Sequence, residues 1–287
     1  MRVADPIPGR TSVQRRGLAL GAVAMLLPAS LAALGPAHPQ DPPAATAAHA
    51  AADPADAPNP ADPVDAPDAA PVRIMPLGDS ITGSPGCWRA LLWRRLPARR
   101  VDFVGTRPAR PCGFAHDGRH EGHSGYLATD VAARGLLPGW LSATDPDVVM
   151  MHLGTNDVWR HRSAAAILAA FTTLVGQMRA ANPRMTILVA QVLPMDPAGC
   201  AGCARRVAAL NAAVPGWAAA LSTPRSPIAV VDQWTGFDTA ADTSDGVHPN
   251  RAGDRKIAAR WYPALLAALS RPPSPPGRTS RPGPPSD

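Results

Sequence analysis

Apolar residues along this chain fall mostly into short unbroken runs, at 72–77 (VRIMPL), 101–105 (VDFVG), 147–153 (DVVMMHL), 186–192 (TILVAQV) and 228–232 (IAVVD). Continuous, β-branched runs of this length predict strands buried on both faces, as in a parallel sheet. Between them the apolar spacing changes to a helical period. It predicts helices over 87–96, 163–181, 204–221 and 251–269, the second opened by Ser163 as N-cap. Strand and helix alternate without an internal repeat. That order predicts an α/β fold, a three-layer α/β/α sandwich around a central five-stranded parallel sheet. Ligands and chemistry collect at the carboxyl ends of such strands, so the candidate site reduces to a few loops.

The pattern stops at both ends of the chain. Residues 1–35 carry paired Arg15 and Arg16, an apolar run from Leu18 and small residues near Ala32, the order of a secretory leader. Pro28 breaks the run, so no stable membrane span is expected. Residues 36–70 are dominated by Ala, Pro and Asp, and 271–287 by Pro and Arg. Neither holds enough apolar surface to offset the entropy of ordering, so both read as disordered tethers around one domain at 71–270. A secreted monomer is the expectation.

The net charge of +6 does not point to nucleic acid, because the arginines are scattered and no nucleic-acid motif is present. The four cysteines suggest two disulfides in an exported protein, with three connectivities open. The expected pairing is Cys87 with Cys112, leaving Cys200 and Cys203 to close the small ring of CAGC. That spacing supplies no second pair of zinc ligands.

Four loops carry candidate chemistry. PLGDSITG (76–83) places Asp79 and Ser80 where the first strand ends. HEGHSGY (120–126) supplies Gly125, whose backbone can approach a ligand closely. HLGTNDVW (152–159) places Asn156 at the end of the third strand, as an uncharged donor for a developing negative charge. DGVHPN (245–250) holds Asp245 three residues ahead of His248, and Pro249 biases that histidine away from helical geometry. A metal reading of His116, Asp117, His120, Glu121 and His123 is disfavoured, because the glycines argue against the helix that a His-Glu-x-x-His site needs. No cofactor is expected.

These motifs, in this order, resemble the SGNH/GDSL hydrolase superfamily across nearly all of residues 72–266. RIMPLGDSITG, FVGT and HEGHSGY are most similar to carbohydrate esterase family 3, the acetyl xylan esterase-like branch. The resemblance implies a flavodoxin-like fold and a serine esterase. It makes Ser80 the nucleophile, His248 the base and Asp245 the group that orients the histidine. Gly125, Asn156 and the Ser80 amide would form the oxyanion hole.

The chemistry supports that assignment independently: serine is a poor nucleophile at neutral pH, needs an adjacent base, and the base needs an orienting acceptor. Asp232, Asp238 and Asp242 are rival orienters without the same local geometry, and His152, inside a strand, reads as a core histidine with its polar atoms satisfied. Asp79, Tyr126 and Trp159 are candidates for substrate contact. Trp88 and Trp234 add flat faces that suit sugar rings, and Arg160 and Arg162 lie near the Asn156 loop. No segment reads as a mobile apolar lid of the kind a lipase wants. The expected substrate is an acylated carbohydrate such as acetylated xylan, or another small ester; a lipase or broad aryl esterase is the alternative, and a non-catalytic carbohydrate-binding protein a second one.

Overall fold

The structure, a computed structural model, describes residues 70–83, 86–96 and 100–270. The leader at 1–35, all but the last residue of the linker at 36–70, and the tail at 271–287 lie outside the described residues.

The sheet is parallel throughout. Strands β1 (Val72–Gly78), β2 (Val101–Phe103), β4 (Val148–His152), β5 (Thr186–Ala190) and β6 (Ile228–Val231) lie in the order β2-β1-β4-β5-β6. A two-residue strand, β3 (Glu121–Gly122), also pairs with β1. Five of the six were expected, with ends one to two residues shorter or longer. The sixth has no apolar run to announce it. It exists because β2 stops opposite Ile74 and leaves the end of β1 unpaired, so Glu121 and Gly122 take up the register against Leu77 and Gly78. The central strands are apolar without alternation because both faces are covered: Ile74, Met75, Val149, Met151, Ile187 and Val189 have no solvent exposure.

Helices flank the sheet in two groups, giving the three layers. On one side α2 (Trp88–Trp93) packs on α9 (Arg251–Leu269), with Trp88 and Trp261 stacked at 6.1 Å. In the other group α6 (Ala164–Ala181) packs on α3 (Ala128–Ala133), α4 (Leu137–Thr144) and α7 (Cys203–Leu221). The Ser163 hydroxyl caps α6 by accepting from the Ala166 amide at 3.2 Å. Among the described residues α6 is the one helix long and apolar enough to cross a membrane, but it directs Ile167, Phe171, Leu174 and Met178 into the core. The remaining helices are short: α1 (Ser80–Gly83), α5 (Thr155–Trp159) and α8 (Thr239–Asp242). Together with α3 and α4 they were not readable as helices, since each spans about two turns or fewer and shows too little apolar periodicity.

The C-terminal end of β1 is where the chain is tightest. A Cβ on Gly78 would stand 2.2 Å from Thr82 Oγ1 and 2.7 Å from the His152 carbonyl. Only glycine lets β1 turn straight into α1 beside β4, and that turn delivers Ser80 to the sheet edge.

Candidate active site

Ser80 opens α1 directly after β1, and His248 approaches it from the loop before α9. Ser80 Oγ and His248 Nε2 are 2.9 Å apart, and His248 Nδ1 is 2.7 Å from Asp245 Oδ2. A carboxylate at Nδ1 fixes the proton on that nitrogen, so Nε2 is left to accept from the serine hydroxyl. The other carboxylate oxygen, Asp245 Oδ1, accepts from the amides of His248 (2.7 Å) and Val247 (3.0 Å). Burial works to raise the Asp245 carboxyl, but the hydrogen bonds from the His248 amide and ring and from Val247 outweigh it and hold it below the usual carboxylate range. The loop is closed by the Ser244 amide, which donates to the His248 carbonyl at 2.9 Å, and by the Gly246 amide, which donates to Thr243 Oγ1 at 2.8 Å.

The rival acids are engaged elsewhere. Asp232 accepts from the Trp234 and Thr235 amides, and Asp238 caps α8. Asp242 accepts from Lys256 Nζ at 2.5 Å and from the Asp238 amide.

β3 explains how Gly125 reaches the same edge. Its pairing with β1 continues into a bond from the His123 amide to the Gly78 carbonyl (2.9 Å), and the next turn contains Gly125 at φ +79°. An L side chain is strained at that angle. Among the described residues nothing accepts from the amides of Gly125 or Ser80. The turn is braced from behind by Glu121, fully buried, which accepts from Thr106 N (2.7 Å), Thr106 Oγ1 (2.8 Å) and His123 Nε2 (2.6 Å). The His123 ring in turn lies against Tyr126 at 4.8 Å and Trp140 at 4.4 Å.

Asn156 lies in α5, one strand over. Its Nδ2 donates to the Tyr126 carbonyl at 3.1 Å and, more weakly, to Asp79 Oδ2 at 3.4 Å. The neighbouring Asp157, also fully buried, accepts from Ala128 N, Thr129 N and Thr129 Oγ1 and so ties α5 to the start of α3. Asp157 is a supporting residue that the motifs did not reveal, its one weak signal being an acid directly after Asn156, whereas Glu121 and His123, weighed beforehand only as metal ligands, brace the Gly125 turn.

Three expectations are corrected. Asp79 does not face substrate: its side chain is fully buried beneath the Ser80 turn, where Oδ1 accepts from the Ile81 amide at 3.0 Å. Burial pushes its carboxyl up to about 6, partly offset by that amide bond. Trp88 is equally buried and donates from Nε1 to the Ile81 carbonyl, supporting α1 from below. His152 is in the core but not satisfied. Neither of its ring nitrogens has a partner among the described residues, and burial pushes its pKa down to about 4. The residues at 116–123 are not gathered into a group of three that could hold a metal. Among the substrate-facing candidates, Tyr126 and Trp234 are half-buried and Trp159 is 39 % exposed. Both disulfides have the expected pairing, Cys87 to Cys112 and Cys200 to Cys203.

A serine, histidine and aspartate in hydrogen-bonded series at the carboxyl edge of a parallel sheet define a class, the serine hydrolases. The chain belongs to the GDSL-like lipase/acylhydrolase family, whose model matches residues 77–256, and it is a carboxylic ester hydrolase. It is similar to a solved carbohydrate esterase family 3 protein from Talaromyces cellulolyticus, 39 % identical with a TM-score of 0.62, over 69 % of this chain and 98 % of that one. A second similar structure is an acetyl esterase, a serine-to-alanine variant solved with an acetate ion. It is 37 % identical, with a TM-score of 0.63 and the same shares of each chain. A multidomain esterase of Ruminococcus flavefaciens is 26 % identical over 228 residues; the match spans 70 % of this chain but 29 % of that protein's length.

Proposed function

We propose that the protein is an exported serine esterase that removes short acyl groups, acetyl foremost, from a carbohydrate such as xylan through an acyl-enzyme intermediate. The observation that carries this reading is the relay of 2.7 and 2.9 Å from Asp245 through His248 to Ser80. In the first half-reaction Ser80 Oγ attacks the ester carbonyl while His248 Nε2 takes its proton. Charge gathers on the carbonyl oxygen, where the amides of Ser80 and Gly125 and the Asn156 side chain can donate; one such donor is typically worth about 3 kcal/mol in the transition state. The imidazolium, held by Asp245, returns its proton to the departing sugar oxygen and leaves the acyl group on Ser80. Water activated by the same histidine then releases the acid and restores the serine.

The acetyl part of the reading draws on the similar acetyl esterase, and the carbohydrate part on the similar carbohydrate esterase and on exposed Trp159, three residues from Asn156. Export draws on the leader sequence and on the absence of a free thiol among the four cysteines. A hydrolysis panel tests the proposal: acetylated xylan, acetylated chitooligosaccharide, and aryl esters of increasing acyl length, with one preparation. Acetate release from a polymer together with a preference for acetyl over longer acyl groups is the expected result. Turnover restricted to long-chain aryl esters would replace it with a lipase reading.

A further inference from the structure

α5 ends in a turn that displays four consecutive side chains, Trp159, Arg160, His161 and Arg162, all exposed. The Arg162 amide donates to the Asp157 carbonyl (2.9 Å) and the His161 amide to the Val158 carbonyl (3.1 Å), with His161 at φ +58°. This is a Schellman closure, and its left-handed position is ordinarily glycine. A histidine there is a local strain, and non-glycine residues held in such conformations gather at functional surfaces.

The turn is also braced. Arg206 Nε donates to the Val158 carbonyl at 2.9 Å, and the same guanidinium donates to the Ala201 carbonyl at the loop closed by the Cys200–Cys203 bridge. Arg205 packs beside it against Gly202. Arg160, Arg162 and Arg205 have no carboxylate within ion-pair distance and no side-chain hydrogen bond among the described residues. The turn therefore concentrates unpaired positive charge. Asn156, Trp159 and Arg160 share one face of α5 by their spacing of three and four residues, so the flat ring and the first guanidinium adjoin the Asn156 side of the site.

We infer that this surface is a subsite for carboxylate-bearing units, that is, for uronic acids, of an acylated polysaccharide. The inference rests on the esterase reading above and adds the class of polymer. Trp159 offers a face for a sugar ring, and guanidinium groups match a carboxylate in a two-point fork, which neutral sugars do not require.

The test uses the full chain and two probes, acetylated glucuronoxylan and the same polymer with its carboxyl groups chemically reduced. At an ionic strength of ~0.01 M the acidic polymer should show a kcat/KM about five-fold higher, the effect of a few exposed charge pairs, shrinking as salt approaches ~0.15 M. Replacing both arginines (Arg160→Glu with Arg162→Glu) should bring the ratio of the two polymers to one or below; the milder Arg160→Gln should reduce it part of the way. Equal turnover of the two polymers by the unaltered chain, or a ratio that charge reversal does not move, would overturn the subsite. Failure of the esterase reading is distinguishable, because no acetate ester, aryl acetate included, would then be hydrolysed. Affinity electrophoresis of Ser80→Ala in gels containing each polymer decides the subsite independently of catalysis: selective retardation by the acidic polymer supports it, and equal mobility rejects it.

Discussion

The side-chain amide of Asn156 lies 3.4 Å from the buried carboxylate of Asp79 and 3.1 Å from the Tyr126 carbonyl. The shorter bond anchors the amide. The longer one is the one that can be surrendered when charge develops on a substrate oxygen, because a 3.4 Å contact is near the limit of a useful hydrogen bond.

Replacing Asn156 with Ala should therefore lower kcat roughly a hundred-fold with KM little changed, since the contact strengthens only in the transition state. Steady-state kinetics on an aryl acetate would show it. A defect mainly in KM would mean that Asn156 binds the ground state instead.

Asp79 carries a second consequence. Its carboxyl, raised from 3.8 to about 6 by burial, binds its proton more tightly in the folded than in the unfolded protein. The folded state is thus favoured at low pH, and this contribution is lost as pH rises through the window from about 4 to 6. Asp254, raised to about 6 by burial, acts in the same direction. Asp79→Asn should increase stability at pH 7 by up to about 3 kcal/mol and flatten, without abolishing, the fall in stability across that window. The variant should also lose kcat, because Asp79 Oδ2 accepts from the Asn156 side chain. Denaturant melts from pH 4 to 8 with parallel kinetics would check both; an Asp79→Asn enzyme of full activity and lower stability would reject the positioning role.

Much of this arrangement was legible beforehand, and what was not has physical reasons. Five strands were visible because a sheet covered on both faces leaves unbroken apolar runs, and α6 because Ser163 marks its start. β3 was hidden: two residues, one of them Glu121, have no strand signature, and only the early end of β2 makes room for them. Ser80, Asp245 and His248 were legible as a candidate relay because the order of the motifs resembles the SGNH hydrolases and Asp245 stands three residues ahead of His248 in one short turn. Asp79 was misplaced because sequence does not reveal which way a turn residue points, and here the carboxylate turns inward while the adjacent serine turns out. Trp88 was misplaced for a related reason: an aromatic at the start of a helix can cover a sugar or, as here, stack on Trp261 inside the molecule.

The bridge between Cys87 and Cys112 closes a separation of 25 residues and ties the start of α2 to the loop ahead of β3. Removing it by Cys87→Ala with Cys112→Ala should cost about 3 kcal/mol, on the usual scale for a loop of that length. Non-reducing peptide mapping should find the two cysteines linked, and two free thiols there would contradict the structure.

For substrate choice, activity on acetyl esters should exceed that on octanoyl esters by at least about ten-fold, a barrier difference of some 1.4 kcal/mol. Trp159→Ala should hurt turnover of acetylated xylan more than turnover of an aryl acetate. An optimum at eight carbons or longer would transfer the protein to the lipase reading.

Mass spectrometry after exposure to a fluorophosphonate, which forms a stable adduct on an activated serine, tests the role of Ser80 directly. One adduct per chain is expected, located on the peptide containing Ser80. None is expected with Ser80→Ala, and a greatly slowed reaction with His248→Ala, since the residues act as a unit. An unlabelled wild-type chain, or an adduct on any other serine, would rule out Ser80 as the nucleophile.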